Sequence, residues 1–212
     1  LAMIMSLAHR IGDQNQRLRE KGWIDSRPSC IGDFSIYELR GKTLGLVGYG
    51  NIARRLKEML SGFEMTVLAY SSQDKAVLAE EGVESVSLEE LFTRSDIVSL
   101  HTRDCPENSK MINAPLFDVM KATSFLINTA RGGIIDEEAL IEALQEKKLA
   151  AVGLDVLTIE PPSDDHPLLK EPNCILTPHI AWNSAEARQR LAYVCLENVK
   201  GFLAGKNFNQ VN

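Results

Sequence analysis

The run Thr43–Val47 ends directly in Gly48–Tyr49–Gly50–Asn51–Ile52–Ala53, after which apolar residues recur at helical spacing as far as Leu60. A short apolar run closing on glycine reads as a buried parallel strand. Strand, glycine turn and helix in direct succession leave little choice of fold. Gly48 permits the tight turn, Gly50 lets the backbone approach a pyrophosphate, and Ala53 stands where a small residue allows the helix to pack closely on the strand. The new helix presents unpaired N–H groups and a favourable dipole to phosphate. Gly48, Gly50, Asn51 and Ile52 are therefore the expected phosphate contacts.

The rest of the chain repeats the alternation. Apolar strands are predicted at Met65–Tyr70, Ile97–Leu100, Ser124–Asn128, Ala150–Val156 and Cys174–Leu176. Helices are predicted at Leu1–Leu18, Ile52–Leu60, Lys75–Glu81, Leu88–Phe92, Asp136–Lys147 (with Asp136 as cap) and Ser184–Leu203. An irregular stretch, Lys21–Arg40, follows the first helix. Strands alternating with helices across short loops specify an α/β fold with a parallel sheet covered on both faces. Right-handed crossovers make it a doubly wound, Rossmann-type sheet. Residues 1–182 are expected to form the dinucleotide-binding domain, and 183–212 a C-terminal helix and tail returning to a substrate domain.

The net charge of −6, without a basic run, argues against a nucleic-acid surface. The apolar start, Leu1–Ala8, is far shorter than the roughly 18 residues a membrane span needs, and it lacks the flanks of a signal peptide. Cys30, Cys105, Cys174 and Cys195 are scattered, which suits reduced thiols in a cytoplasmic protein better than a disulfide framework. Neither they nor the four histidines show metal-ligand spacing, so no metal is expected. The first helix begins without a capping residue, and the chain is read as part of something longer.

Where the second strand ends, an acidic residue normally accepts the ribose hydroxyls of NAD. Here the sequence is Tyr70–Ser71–Ser72–Gln73–Asp74. Ser71 in that place removes the charge that would repel a 2′-phosphate, yet no arginine follows at once to attract one. The choice between NAD and NADP stays open, with a lean towards NAD.

Three further segments complete a pattern: Asn128–Thr129–Ala130–Arg131–Gly132–Gly133, then Gly153–Leu154–Asp155 through Glu160–Pro161, and Thr177–Pro178–His179–Ile180–Ala181–Trp182. With the glycine turn, in this order, they resemble the NAD-binding region of the D-isomer-specific 2-hydroxyacid dehydrogenases. The resemblance spans nearly the whole chain, with 29 residues from Arg131 to Glu160 (160 − 131) and 19 from there to His179 (179 − 160). It implies an oxidoreductase in which Arg131 binds the substrate carboxylate, His179 exchanges the proton, and Glu160 orients the imidazole and favours its charged form. It also implies cofactor contacts at Ser71, Thr102, Thr129, Ala130, Arg131, Asp155 and His179. The partners implied are a small 2-oxo or 2-hydroxy acid and a second copy of the chain. The homodimer would form through the nucleotide domain, with the first helix and the Trp23–Tyr37 stretch as contacts.

A Glu–His pair suits hydroxyl–carbonyl interconversion and counts against formate as substrate. The segment from His179 to Trp182 and the tail Asn207–Asn212 look most like glycerate dehydrogenases and hydroxypyruvate reductases, which favours glycerate, hydroxypyruvate or glyoxylate. Non-enzymatic dinucleotide-sensing corepressors share the fold and can keep the same three residues, so that reading stands as the alternative. Trp23 and Trp182 are read as packing residues, although Trp182 follows His179 closely enough to line the substrate pocket, and His9, His101 and His166 are read as structural or exposed. The sequence departs from the family at Arg103, where a proline is usual after His101–Thr102, which bears on the loop expected beside the nicotinamide ribose. The family's N-terminal substrate half is missing, so this chain is expected to bind cofactor but turn over little alone.

Overall fold

A computed structural model describes residues 1–26, 36–206, 208 and 209. It resolves two compact units, Leu1–Leu176 and Thr177–Asn212.

The first unit is built on a seven-stranded parallel sheet: β1 Thr43–Val47, β2 Thr66–Tyr70, β3 Glu84–Ser85, β4 Ile97–Leu100, β5 Phe125–Asn128, β6 Ala151–Leu154 and β7 Cys174–Leu176. Its spatial order is β3-β2-β1-β4-β5-β6-β7, the doubly wound arrangement predicted. The helices are α1 Ala2–His9, α2 Ile11–Ser26, α3 Asn51–Met59, α4 Lys75–Glu80, α5 Leu88–Arg94, α6 Ala114–Asp118 and α7 Glu137–Gln145. Of the strands, β1, β4, β5 and β6 are buried at almost every position, because helices cover both faces.

Side chains alternate across the pleat, and each face feeds its own core. Val47, Val98, Leu126 and Val152 join Phe92, Phe117 and Leu140 on one side. Leu44, Leu46, Phe125, Ile127 and Ala151 join Ile4, Leu7, Ala53 and Leu56 on the other. Two glycines set how closely helices approach. A Cβ on Gly45 of β1 would overlap the Ser95 hydroxyl and the Leu91 side chain of α5, and one on Gly153 of β6 would press Met3 of α1.

The structure revises several boundaries. The single helix expected over Leu1–Leu18 is two, because Arg10 turns left-handed (φ 50°, ψ 37°) between α1 and α2. The stretch expected to be irregular from Lys21 is helical to Ser26, with a break at Gly22 (φ 74°). Residues 27–35 of that stretch, with Cys30, lie outside the described residues. Trp23 is not a packing residue: it is 71% exposed. Asp136 stands at the N-cap of α7, as expected, but its side chain makes no capping bond; its carboxylate faces Lys110 Nζ at 3.4 Å. The two-residue strand β3 and the short helix α6 were not anticipated. Two residues carry no period, and α6 depends on Leu116 and Phe117 finding the core.

In the second unit, α8 (Ala185–Leu203) starts at Ser184, whose hydroxyl accepts from Ala187 N at 3.1 Å, and ends where Phe208 lies over Gly201.

Gly45→Ala is expected to push α5 off β1 and destabilise the chain by about 1–3 kcal/mol, the usual cost of overpacking. Urea unfolding monitored by circular dichroism checks this, and an unchanged midpoint would contradict the close β1–α5 packing.

Candidate functional site

The sheet reverses its winding direction between β1 and β4, and the loops leaving those strands diverge there. A cleft of about 460 Å³ opens at this point, bordered by the loops after β1, β2 and β4. Gly48 turns with φ 90°, and a Cβ on it would lie 2.8 Å from the His101 carbonyl oxygen. Any other residue would be strained and displace the neighbouring loop. Gly50 differs: a Cβ there would point into open space at the N-cap of α3. That space, beside the free amides of a nine-residue helix, fits a pyrophosphate. Asn51 and Ile52 open this helix with exposed side chains, and Ala53 is fully buried beneath it.

Ser71 and Thr102 line the same cleft, as do Ser72, Gln73 and Arg103. Arg103, where the family usually has proline, thus lines the same cleft as the residues at the end of β2. His101 is largely buried, with Nε2 3.0 Å from Ser99 Oγ, and burial pushes its imidazole down to about 4. It is therefore neutral at physiological pH.

A polar cluster that the sequence did not announce ties the β1 loop to the β2 loop. Tyr49 is buried, and its hydroxyl donates to Glu81 Oε2 at 2.8 Å. Arg54 Nε donates to Glu81 at 3.0 Å, Arg54 Nη2 donates to Gln73 Oε1 at 2.6 Å, and Gln73 Nε2 donates to the Tyr49 carbonyl. The guanidinium also lies 4.8 Å from the centre of the Tyr49 ring. Burial, then the bond to Glu81, drives the Tyr49 phenol up to about 12. The Tyr49 bond, followed by Arg54, holds the Glu81 carboxyl below its ordinary range. Only the closing of Gln73 and Glu81 onto one loop makes these residues neighbours, and no local spacing signals it.

Thr129, Ala130, Arg131 and Asp155 gather at the ends of β5 and β6, outside the residues that line this cleft. Asn128, fully buried, organises the turn: its Oδ1 accepts from Ala130 N at 2.9 Å and its Nδ2 donates to the Arg131 carbonyl at 2.8 Å. Arg131 is thereby left exposed, with Nη1 donating to the Ala130 carbonyl at 2.6 Å. A Cβ on Gly132 would overlap the Leu157 backbone, so glycine there lets the Arg131 turn seat against the Asp155–Glu160 loop. In that loop Glu160 Oε1 accepts from Leu157 N at 3.0 Å. Glu137 of α7 accepts from Thr158 N and faces His166 Nε2 at 3.4 Å, fastening the segment between β6 and β7 at two points. Asp155 is buried, its N–H bonded to the Asn128 carbonyl at 2.9 Å. His179 belongs to the second unit, where it adopts φ 54° and its N–H meets the Thr177 carbonyl at 3.0 Å. Trp182, read as packing, is 51% exposed in that unit.

A profile of the family described as D-isomer specific 2-hydroxyacid dehydrogenase, NAD binding domain, matches residues 1–181. The chain belongs to this family. It is 37% identical over its whole length to a hydroxypyruvate reductase of Blautia hydrogenotrophica and 38% identical to a glycerate dehydrogenase of Methylorubrum extorquens. Among solved structures it resembles the NAD-complexed D-isomer specific 2-hydroxyacid dehydrogenase of Lactobacillus delbrueckii ssp. bulgaricus, with TM-score 0.83 and 28% identity over the whole chain. The chain spans 66% of the length of each of these proteins, just under two thirds. Among the described residues no group of side chains could hold a metal ion, and no helix is long and apolar enough to cross a membrane.

His101 gives the site a pH signature. Unfolded, its imidazole takes a proton near 6.5; folded, it resists protonation until about 4. Stability from this group is present above pH 6.5 and is lost as pH falls towards 4, by up to about 3 kcal/mol. His101→Asn is expected to flatten that part of the Tm–pH curve relative to the unsubstituted chain; parallel curves would contradict a neutral His101.

Proposed function

We propose that this chain is the cofactor-binding part of a D-2-hydroxyacid dehydrogenase, and that the protein carrying it interconverts a small 2-oxo acid and the D-2-hydroxy acid. Hydroxypyruvate and glyoxylate are the favoured substrates, in keeping with the names of the relatives. The observation that carries the reading is the pairing of a phosphate-accepting glycine turn with an Arg131 turn and a Glu160 loop seated against each other through Gly132.

When bound, the nicotinamide would supply the hydride in reduction and take it up in oxidation. The chain's own residues do the rest. Gly48, Gly50, Asn51 and Ile52 hold the pyrophosphate at the start of α3, while Ser71, Thr102, Thr129, Ala130, Asp155 and His179 contact the remainder of the cofactor. Arg131, always charged and planar, grips the substrate carboxylate and polarises the carbonyl. His179 gives its proton to the substrate oxygen in reduction and takes it back in oxidation, and Glu160 favours the imidazolium. Residues 1–182 act as the dinucleotide domain, and 183–212 return to the substrate domain.

The test is consumption of reduced dinucleotide by the polypeptide carrying this chain, with hydroxypyruvate or glyoxylate as acceptor. Turnover is expected, and Arg131→Gln is expected to lower kcat/KM by about a hundredfold or more. Dinucleotide binding without turnover of any 2-oxo acid would sink the dehydrogenase reading and leave a sensor.

We further propose a cytoplasmic homodimer formed through the nucleotide domain. The exposed Ile11 and Trp23, large apolar groups on either side of the break at Gly22, support this. Sedimentation is expected to return twice the chain mass of 23.5 kDa, and a monomer at tens of micromolar concentration would refute it.

A further inference from the structure

The cleft at the head of the sheet has an unusual charge balance for a site that takes NAD. Not one of its lining residues is Asp or Glu, and its single permanent cation is Arg103. An NAD site places a carboxylate at the end of β2, where it accepts from the ribose hydroxyls and repels a 2′-phosphate. Ser71 stands there instead, followed by Ser72, and both border the cleft that Arg103 also borders.

We infer that Arg103, with the hydroxyls of Ser71 and Ser72, forms a subsite for the 2′-phosphate, so that the chain prefers NADP(H) to NAD(H). The inference rests on the dehydrogenase reading above. It adds which dinucleotide is used and assigns Arg103 the role of choosing it.

The local chemistry suits an anion. Ser71 Oγ accepts from Gln73 N at 3.2 Å, which leaves its own proton to donate to a phosphate oxygen. Asn108 Nδ2 donates to both the Arg103 carbonyl and Thr102 Oγ1 at 3.2 Å, fixing the backbone from which the guanidinium projects. Among the described residues Arg103 makes no ion pair within 4.0 Å, and its side chain is exposed. The other arginine nearby, Arg54, is already committed to Glu81 and Gln73. His101 is neutral and contributes no charge. Glu107 is the acid that competes for Arg103: its carboxyl is held low by the Cys105 hydrogen bond first, then by its own N–H, and also by the Arg103 charge. A guanidinium and two hydroxyls match the acceptor-only phosphate in charge and geometry.

Calorimetric titration of the chain with NADPH and NADH, and of its Arg103→Ala and Ser71→Asp variants, tests this. NADPH is expected to bind at least about tenfold more tightly than NADH. Arg103→Ala is expected to weaken NADPH by about ten- to a hundredfold while leaving NADH within about twofold, as loss of a charge-assisted contact to one group requires. Ser71→Asp is expected to reverse the preference, and adenosine 2′,5′-bisphosphate to compete better than 5′-AMP in the unsubstituted chain only. Equal or tighter NADH binding overturns the inference and leaves the dehydrogenase reading intact. So does an Arg103→Ala variant that loses both dinucleotides alike with its melting temperature unchanged. Failure of both dinucleotides to bind a folded chain overturns the reading beneath it as well.

Discussion

In a parallel sheet all the strands point the same way, so their C-terminal ends share one edge and every connection must cross a face to begin the next strand. Here the crossover from β1 leads to β2 on one side, and the crossover from β3 returns to β4 on the other. The loops at the ends of β1 and β4 are driven apart by that reversal, and a cleft opens there. The cleft, the glycine turn and the catalytic candidates all follow from this geometry. Gly48 sits on the edge where the loops part, Ser71 one strand away, and Arg131 and Asp155 on the two strands beyond β4.

An open crevice is useful only if its walls are held still, and buried polar groups do that here. The Tyr49–Glu81–Arg54–Gln73 cluster fastens the loops after β1 and β2 to the end of α4. Arg54 and Glu81 each keep about a third of their side-chain surface in water. Solvent therefore screens much of their attraction, and the pair contributes more to loop geometry than to net stability. Asn128 is the stricter case: fully buried, it spends both ends of its amide on the turn that exposes Arg131, and apolar replacement would strand the Ala130 N–H and the Arg131 carbonyl.

Close backbone approach is the second device. Gly45, Gly132 and Gly153 lie where a methyl group would collide with a neighbouring element, and each brings two segments together. Only at Gly132 does each segment carry a proposed catalytic residue, one ending at Arg131 and the other running to Glu160. The strength of that apposition comes from absent atoms, which is why a residue with no chemistry of its own belongs to the site.

The sequence by itself determined the parallel α/β sheet, because hydrophobic runs of strand length alternating with helical periodicity admit few other arrangements. It also determined the glycine turn and the family, since four ordered motifs at fixed separations are local signals. Its errors fell where local signals were silent or misleading. The break at Arg10 is a left-handed residue without a glycine or proline to mark it, the two-residue strand β3 is too short to show a period, and Asp136 has a capping residue's identity without its bond. Tertiary structure alone decided that Arg103 would line the same cleft as Ser71, that Asn128 would organise the Arg131 turn, and that Glu81, 32 residues from Tyr49, would meet it. These are contacts between segments distant along the chain. Their partners are chosen by how the sheet folds back on itself, and no pattern within either segment encodes that choice.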